Sequence, residues 1–283
     1  MGTDVIGPAA VGLAASPQGA PTGRRRRASP ALLRAGKGIA GIVVMIGLWE
    51  AVRALGLVDR RDLPSFTSIL AAGARDLSDG PLLDAVGGTL RAWGPGLLIA
   101  AFGGVVAGLV LGLMPRVEVL TRPVLEFIRP IPSVALVPVA LIVLGLGFTM
   151  EVALIAFASI WPVLFSAKAG VEGVDPRYLE TGRILGLGKA ARMWRIVCPA
   201  ALPAIATGVR TAAAIALVLA ITVELVTGQS GIGLYLQTAR VNGQVAETWA
   251  AILSAGVLGY GLNTAFLAIE RRILGWSQEY RDQ

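Results

Sequence analysis

Apolar residues in this chain arrive in long blocks, unlike the alternating or 3.6-residue stripes that mark soluble strands and helices. The blocks predict six membrane-spanning helices, at about 38–57, 92–114, 131–148, 151–167, 203–227 and 249–269. The second is the clearest: Ala92 to Met114 contains no charged residue, and at 1.5 Å per residue such a run covers roughly 30 Å of hydrocarbon. Pro132, Pro138 and Pro162 interrupt the third and fourth blocks, with only Gly147 to Met150 between them. Membrane helices tolerate proline where neighbours satisfy the freed carbonyls. The first loop, 58–91, is long enough to hold structure. In it Ser65, followed by Phe66, Ile69, Leu70 and Leu77, reads as a capped amphipathic helix. That helix either lies along the outer membrane surface or is a loop helix without a role.

Composition supports the bilayer: 55% of the 283 residues are hydrophobic and 15% are charged, against about a quarter charged in soluble domains. There is no histidine and a single cysteine, Cys198, which removes disulfides, Cys/His zinc sites and histidine acid–base chemistry. No catalytic residue, cofactor or metal site is assigned. The net charge of +7 does not point to nucleic acid, because the basic residues sit at the ends of the apolar blocks. Eighteen fall on one side of the predicted membrane: Arg24 to Arg27, Arg34, Lys37, Arg116, Arg122, Arg129, Lys168, Arg177, Arg183, Lys189, Arg192, Arg195, Arg271, Arg272 and Arg281. The other side has five, Arg60, Arg61, Arg75, Arg91 and Arg240. The positive-inside rule then puts both termini in the cytoplasm, in agreement with an even number of spans. Residues 1–37 read as a disordered basic cytoplasmic tail, 38–57 as a retained anchor with no small-residue cleavage site after it, 92–270 as the transmembrane core, and 271–283 as a second cytoplasmic tail.

Between the fourth and fifth blocks, residues 175–199 are too polar for lipid. Pro176 suits a first helical turn after Asp175, and Glu180 and Arg183 share a face of the helix that follows. Gly186 and Gly188 break it. A second helix runs from about Lys189 to Val197, with Ala191, Trp194 and Cys198 as its apolar stripe, and Pro199 and Pro203 end it before the fifth span. Two short helices around a glycine corner form a protruding knob that a soluble partner can grip. The glycines do not make a phosphate loop: counting back from Gly188 and Lys189 puts Arg183 at the first glycine position, and Ala190 replaces the required hydroxyl.

This segment resembles the EAA loop of binding-protein-dependent ABC importer permeases. Glu180, Gly186, Ile196 and Pro199 stand at the matching places, while Thr181 and Gly182 replace the two alanines and Cys198 replaces leucine. The resemblance extends from about Leu63 to Arg272 and is closest to the nitrate, sulfonate and taurine branch. It is carried by Leu63-Pro64-Ser65, Arg129-Pro-Ile-Pro-Ser133 with Pro138, Gly186 to Arg195, Pro199 to Ala204, and Glu224 followed by Ser230-Gly-Ile-Gly233. It implies an all-α, six-helix type I importer fold whose coupling helix docks in a cleft of a separate ATPase. The coupling residues it implies are Glu180, Gly182, Arg183, Gly186, Leu187, Gly188, Ile196 and Pro199. The implied assembly has two permease copies, two ATPase subunits and an extracytoplasmic substrate-binding protein, and the implied solute is a small anion such as an aliphatic sulfonate, taurine or nitrate.

Glu50 and Arg53 lie one turn apart near the outer end of the first span, as a snorkelling structural pair or as groups with a role in transport. Arg210 is placed near the cytoplasmic end of the fifth span, within reach of phosphate head groups. Glu224, near the outer end beside Thr222 and Thr227, either supports an outer gate or serves as a structural hydrogen-bonding group. Gly103, Gly104, Gly108 and Gly112 allow a close helix contact. Two other functions fit the sequence less well. A membrane enzyme would need a cluster of catalytic groups at one face, and an ion-coupled carrier or channel would need mid-bilayer charges and inverted repeats.

Overall fold

The computed structural model describes residues 30–274 apart from Arg60 and Asp79. Of the predicted tails 1–37 and 271–283, residues 1–29 and 275–283 lie outside the described residues, whereas 30–37 and 271–273 belong to the first and last helices. Every regular element among them is helical: α1 Pro30–Ala54, α2 Phe66–Ser78, α3 Pro81–Leu113, α4 Pro115–Ile128, α5 Val137–Leu144, α6 Phe148–Glu172, α7 Pro176–Ile184, α8 Lys189–Arg192, α9 Cys198–Thr227, α10 Ile232–Val241 and α11 Val245–Ile273. A 3₁₀ turn, Ser133–Leu136, leads into α5, and a π turn, Met193–Val197, joins α8 to α9. The chain falls into two units, one ending at Leu48 and one beginning at Trp49. In the first, α1 exposes Ile42, Val43, Val44, Met45 and Leu48.

The second unit is built on α3 and α6, whose contact follows from small residues four apart. On α3, Ala92, Gly96, Ala100, Gly104 and Gly108 are buried; on α6, Glu151, Ile155, Ser159, Val163, Ala167 and Val171 are. A Cβ on Gly96 would lie 2.5 Å from Ile155, one on Gly104 2.7 Å from Val163, and one on Gly112 2.8 Å from Val171. The numbers rise together, so the two helices run parallel and their four-residue ridges interlock. The glycine stripe therefore faces a helix of its own chain. Gly208 meets Ser166 and Gly170 meets Ala201 in the same way, which docks α9 on α6.

Among the described residues, four helices are long and apolar enough to cross a membrane: Pro81–Leu113, Phe148–Glu172, Lys189–Thr227 and Val245–Ile273. The pair Pro115–Ile128 and Ser133–Leu144, bent by 81°, makes a fifth if it is one span. The predicted third span, 131–148, is helical only over Ser133–Leu144, too short to cross alone, and the break at Pro130 and Pro132, which lack the N–H groups that would continue α4, separates it from Pro115–Ile128. The fifth span is corrected. The second knob helix does not stop at Pro199 and Pro203 but continues to Thr227. The π turn absorbs the first proline, with the N–H of Cys198 bonding to the carbonyl of Met193; widening one turn relieves the ring's clash with the preceding carbonyl.

Outside the spans, α2 forms as the pattern predicts. Ser65 Oγ accepts the Ser68 N–H at 3.2 Å, and Glu50 Oε1 takes the Phe66 N–H at 2.8 Å, while Glu50 Oε2 holds Arg53 at 3.3 Å. Ile69 and Ala72 are buried against Ala250, beneath Trp49 and Trp249, whose rings meet edge to face at 4.7 Å. The helix packs on α11. Arg210 pairs with the buried Glu270 of α11 at 3.3 Å.

Candidate functional site

The knob is a tight helical corner. Asp175 caps α7 by accepting the Arg177 N–H at 2.9 Å. At the other end the Leu187 N–H bonds to the Gly182 carbonyl at 2.9 Å and the Gly186 N–H to the Arg183 carbonyl at 3.0 Å. This paired closure requires a left-handed residue, and Gly186 supplies it with φ +72°. Gly188 then caps α8 in an extended conformation. Gly182 is buried because the return helix crosses it: a Cβ there would lie 2.8 Å from Ile196 and 3.2 Å from Arg192. Of the predicted coupling residues, the fold thus brings Gly182 and Ile196 together and leaves Glu180, Arg183, Gly186 and Gly188 exposed, with Leu187 and Pro199 half-buried.

The inward stripe of the second helix differs from the predicted one. Val197 and Ala201 are buried with Val171 and Val174, with Met193, Ile196 and Leu179 packed around them. The π turn shifts the register, so Trp194 points outward and is 75% exposed. Ile184 is 85%, Leu185 71% and Tyr178 63% exposed. These four apolar side chains, with exposed Arg177, Arg183, Lys189 and Arg195 around them, make a sticky, basic-rimmed surface on a small rigid scaffold. Exposed apolar clusters of this kind mark interaction sites.

At the far end of the long helix, Glu224 is fully buried. Its Oε2 accepts the Gly233 N–H at 2.8 Å and the Thr89 hydroxyl at 3.1 Å, and Thr89 Oγ1 accepts the Ile232 N–H at 2.9 Å. The carboxylate therefore satisfies the first turn of α10, where amide donors and helix dipole favour an anion. The motif Ser230-Gly-Ile-Gly233 follows from this: a Cβ on Gly231 would fall 2.1 Å from the Glu224 carboxyl carbon, and one on Gly233 2.3 Å from the Ile221 carbonyl. Sequence reasoning misses Glu151, which is 4% exposed and within electrostatic range of Glu224. The available signal is its four-residue spacing to Ile155 and Ser159 on the buried stripe of α6.

Beside it, α10 is tied to α2, because the Tyr235 hydroxyl donates to Asp76 Oδ2, and α2 is tied to α11 by Arg75 and Glu247 at 3.5 Å. Burial first, then Asp76, pushes the Tyr235 phenol above its usual range. No group of three or more metal-ligating side chains exists among the described residues.

Residues 102–274 match the family model described as binding-protein-dependent transport system inner membrane component. The chain is 28% identical to a Bacillus subtilis protein named as an aliphatic sulfonates transport permease, SsuC, over 86% of this chain and 88% of that one. It is 28% identical to the taurine transport system permease protein TauC of Escherichia coli, over 85% and 90%. It is equally 28% identical to the bicarbonate transport system permease protein CmpB of Synechococcus elongatus, over 83% and 88%. Among solved structures, an inward-facing MetNI methionine ABC transporter chain superimposes with a TM-score of 0.56 at 14% identity, covering 68% of this chain and 96% of that one. At that identity the likeness concerns the fold.

Proposed function

The chain belongs to the family of binding-protein-dependent transport system inner membrane components, and on that premise we propose that it is the pore-forming permease subunit of an ATP-driven importer for a small anionic solute. The corner formed by α7 and α8 is the coupling element, and Ile184, Leu185 and Trp194 enter a cleft of a separate ATPase that burns the nucleotide. Two permease copies, two ATPase subunits and an external solute-binding protein complete the working assembly. With α1 and the bent pair each counted as a span, six crossings result and both termini lie in the cytoplasm, as the basic asymmetry requires. The solute is of the aliphatic sulfonate, taurine or nitrate type; the relatives named for sulfonates, taurine and bicarbonate all concern small solutes with an acidic group.

The exposed apolar corner carries this reading, since a helix pair that packs its base and leaves four large apolar side chains outside has an unfinished surface. Glu224 anchors α10 at the opposite end of the same helix, which gives the outer gate its fixed point. Co-purification of the chain with its cognate ATPase, followed by vanadate-sensitive uptake in liposomes, tests the proposal. Uptake that persists without any ATPase, or a corner mapped to the outer side of the membrane, refutes it.

A further inference from the structure

Glu151 is a buried carboxyl that the coupling reading leaves without a task. It is 4% exposed, it stands in the first turn of α6, and its Oε1 finds no hydrogen-bond partner among the described residues. Helix packing brings it to Glu224. The antiparallel contact of α6 and α9 sets Gly208 against Ser166 and Gly170 against Ala204, and the same register carried along both helices sets Glu151 against Val223 and Glu224. From the other side, the parallel register of Gly96 with Ile155 and Gly104 with Val163 places Ala92 beside Glu151, one turn from Thr89.

Glu224 has matching spare capacity. Its Oε2 accepts from Gly233 and Thr89, while its Oε1 is buried without a partner among the described residues. Gly231 and Gly233 close over this carboxyl so tightly that neither position admits a Cβ.

Neither carboxyl is neutralised by a cation. On α3, Asp84 and Arg91 are exposed, and Arg91 lies over the Phe148 ring at 5.7 Å. On α10, Arg240 is exposed and Tyr235 is bonded to Asp76. Glu247 of α11 pairs with Arg75, and Arg210 of α9 pairs with Glu270; α5 carries no charged residue. The charge within electrostatic range of Glu151 is Glu224 itself. Two ionised carboxylates enclosed together repel each other and both forgo hydration, so such a pair retains a proton. A protonated Glu151 has one O–H to donate, and Glu224 Oε1 is the acceptor left open.

We propose that Glu151 and Glu224 bind a single proton as an acid–carboxylate pair, and that this proton latches α10 onto α6 and α9. With the proton in place the pair carries one negative charge, on Glu224, where it caps α10. Loss of the proton leaves two charges in one enclosure, and their repulsion loosens the cap. The latch concerns the chain's own packing and does not rest on the coupling reading.

The test follows the full chain in detergent between about pH 5 and 9, above the ordinary carboxyl value, by the infrared absorption of a protonated carboxyl and by the thermal transition. The native pair keeps a proton that the unfolded chain releases, so stability falls as pH rises until the native pair releases it too. Expected for wild type is a protonated-carboxyl band that persists at neutral pH, and a transition that falls by on the order of 3 °C per pH unit. Glu151→Gln, whose amide N–H donates to the same oxygen at every pH, loses the band and flattens the decline. Glu151→Asp shifts the band without removing it, and decides the matter should the glutamine variant fail to fold. The proposal is overturned by the absence of such a band at neutral pH, by a band indifferent to either substitution, or by an equally steep decline in Glu151→Gln. Recovery of alkaline stability on adding sodium or potassium chloride at constant ionic strength also overturns it, since the pair then holds a metal cation in place of the proton.

Discussion

Replacing Ile184 and Leu185 together by serine isolates what the helical corner contributes to partner binding. Both are exposed, at 85% and 71%, so the change leaves the chain's own stability within about 0.5 kcal/mol. If a partner buries them, each side chain contributes about 1.5–3 kcal/mol to association, and losing both costs about 3–6 kcal/mol. That corresponds to between about a hundredfold and about ten-thousandfold in Kd. Ordering and desolvation at the interface take part of this, so about tenfold is the smallest effect compatible with docking through this face. The assay is titration of the purified ATPase onto the detergent-solubilised permease, with the thermal transition of the permease as control. An affinity within a factor of about three of wild type, at unchanged thermal stability, refutes docking through Ile184 and Leu185.

Three other expectations concern the framework. Thr89→Val leaves the buried Ile232 N–H without its acceptor at a cost of about 1–3 kcal/mol, so the thermal transition falls, whereas Thr89→Ser stays near wild type; equal behaviour of the two would sink the capping account. Gly108→Ala places a methyl 2.4 Å from the Leu164 carbonyl and costs about 1–3 kcal/mol through overpacking, while Gly94→Ala, with nothing within 4 Å, is silent; size-exclusion profiles of the two variants decide. Tyr235 has a raised native pKa, so its contribution is fully present below the ordinary phenol value near 10 and is lost as pH rises through the native value. Tyr235→Phe should remove that part of the alkaline decline, and identical stability profiles between about pH 9 and 12 would exclude it.

Much of this fold is legible because lipid demands long apolar runs, and Ala92 to Met114 announces a span by hydropathy alone. Gly186 is legible as well: a glycine between two helical patterns predicts a break, and the structure breaks there, with Gly186 in the left-handed region. The failures share a cause, since they sit where proline meets tertiary support. Pro199 and Pro203 look like terminators, yet a π turn and the packing of Val197 and Ala201 carry the helix through. The same register shift turns Trp194 outward, which a regular 3.6-residue count hides. Pro132 looks tolerable inside a span, but together with Pro130 it removes two N–H groups so close together that the pair bends. Glu224 stands out in the sequence by its charge alone; that it caps α10 is visible only once Thr89, distant in sequence, comes beside it.

The unbroken run Lys189–Thr227, of 39 residues, reaches about 58 Å at 1.5 Å per residue. Its foot belongs to the corner that carries Ile184 and Leu185, and its tip holds the carboxylate from which α10 hangs. A tilt of about 5° at the foot sweeps the tip through roughly 5 Å, close to one helical pitch. Leverage of that size lets a small rotation imposed at one surface of the membrane be read as a large displacement at the other, through a single continuous strut.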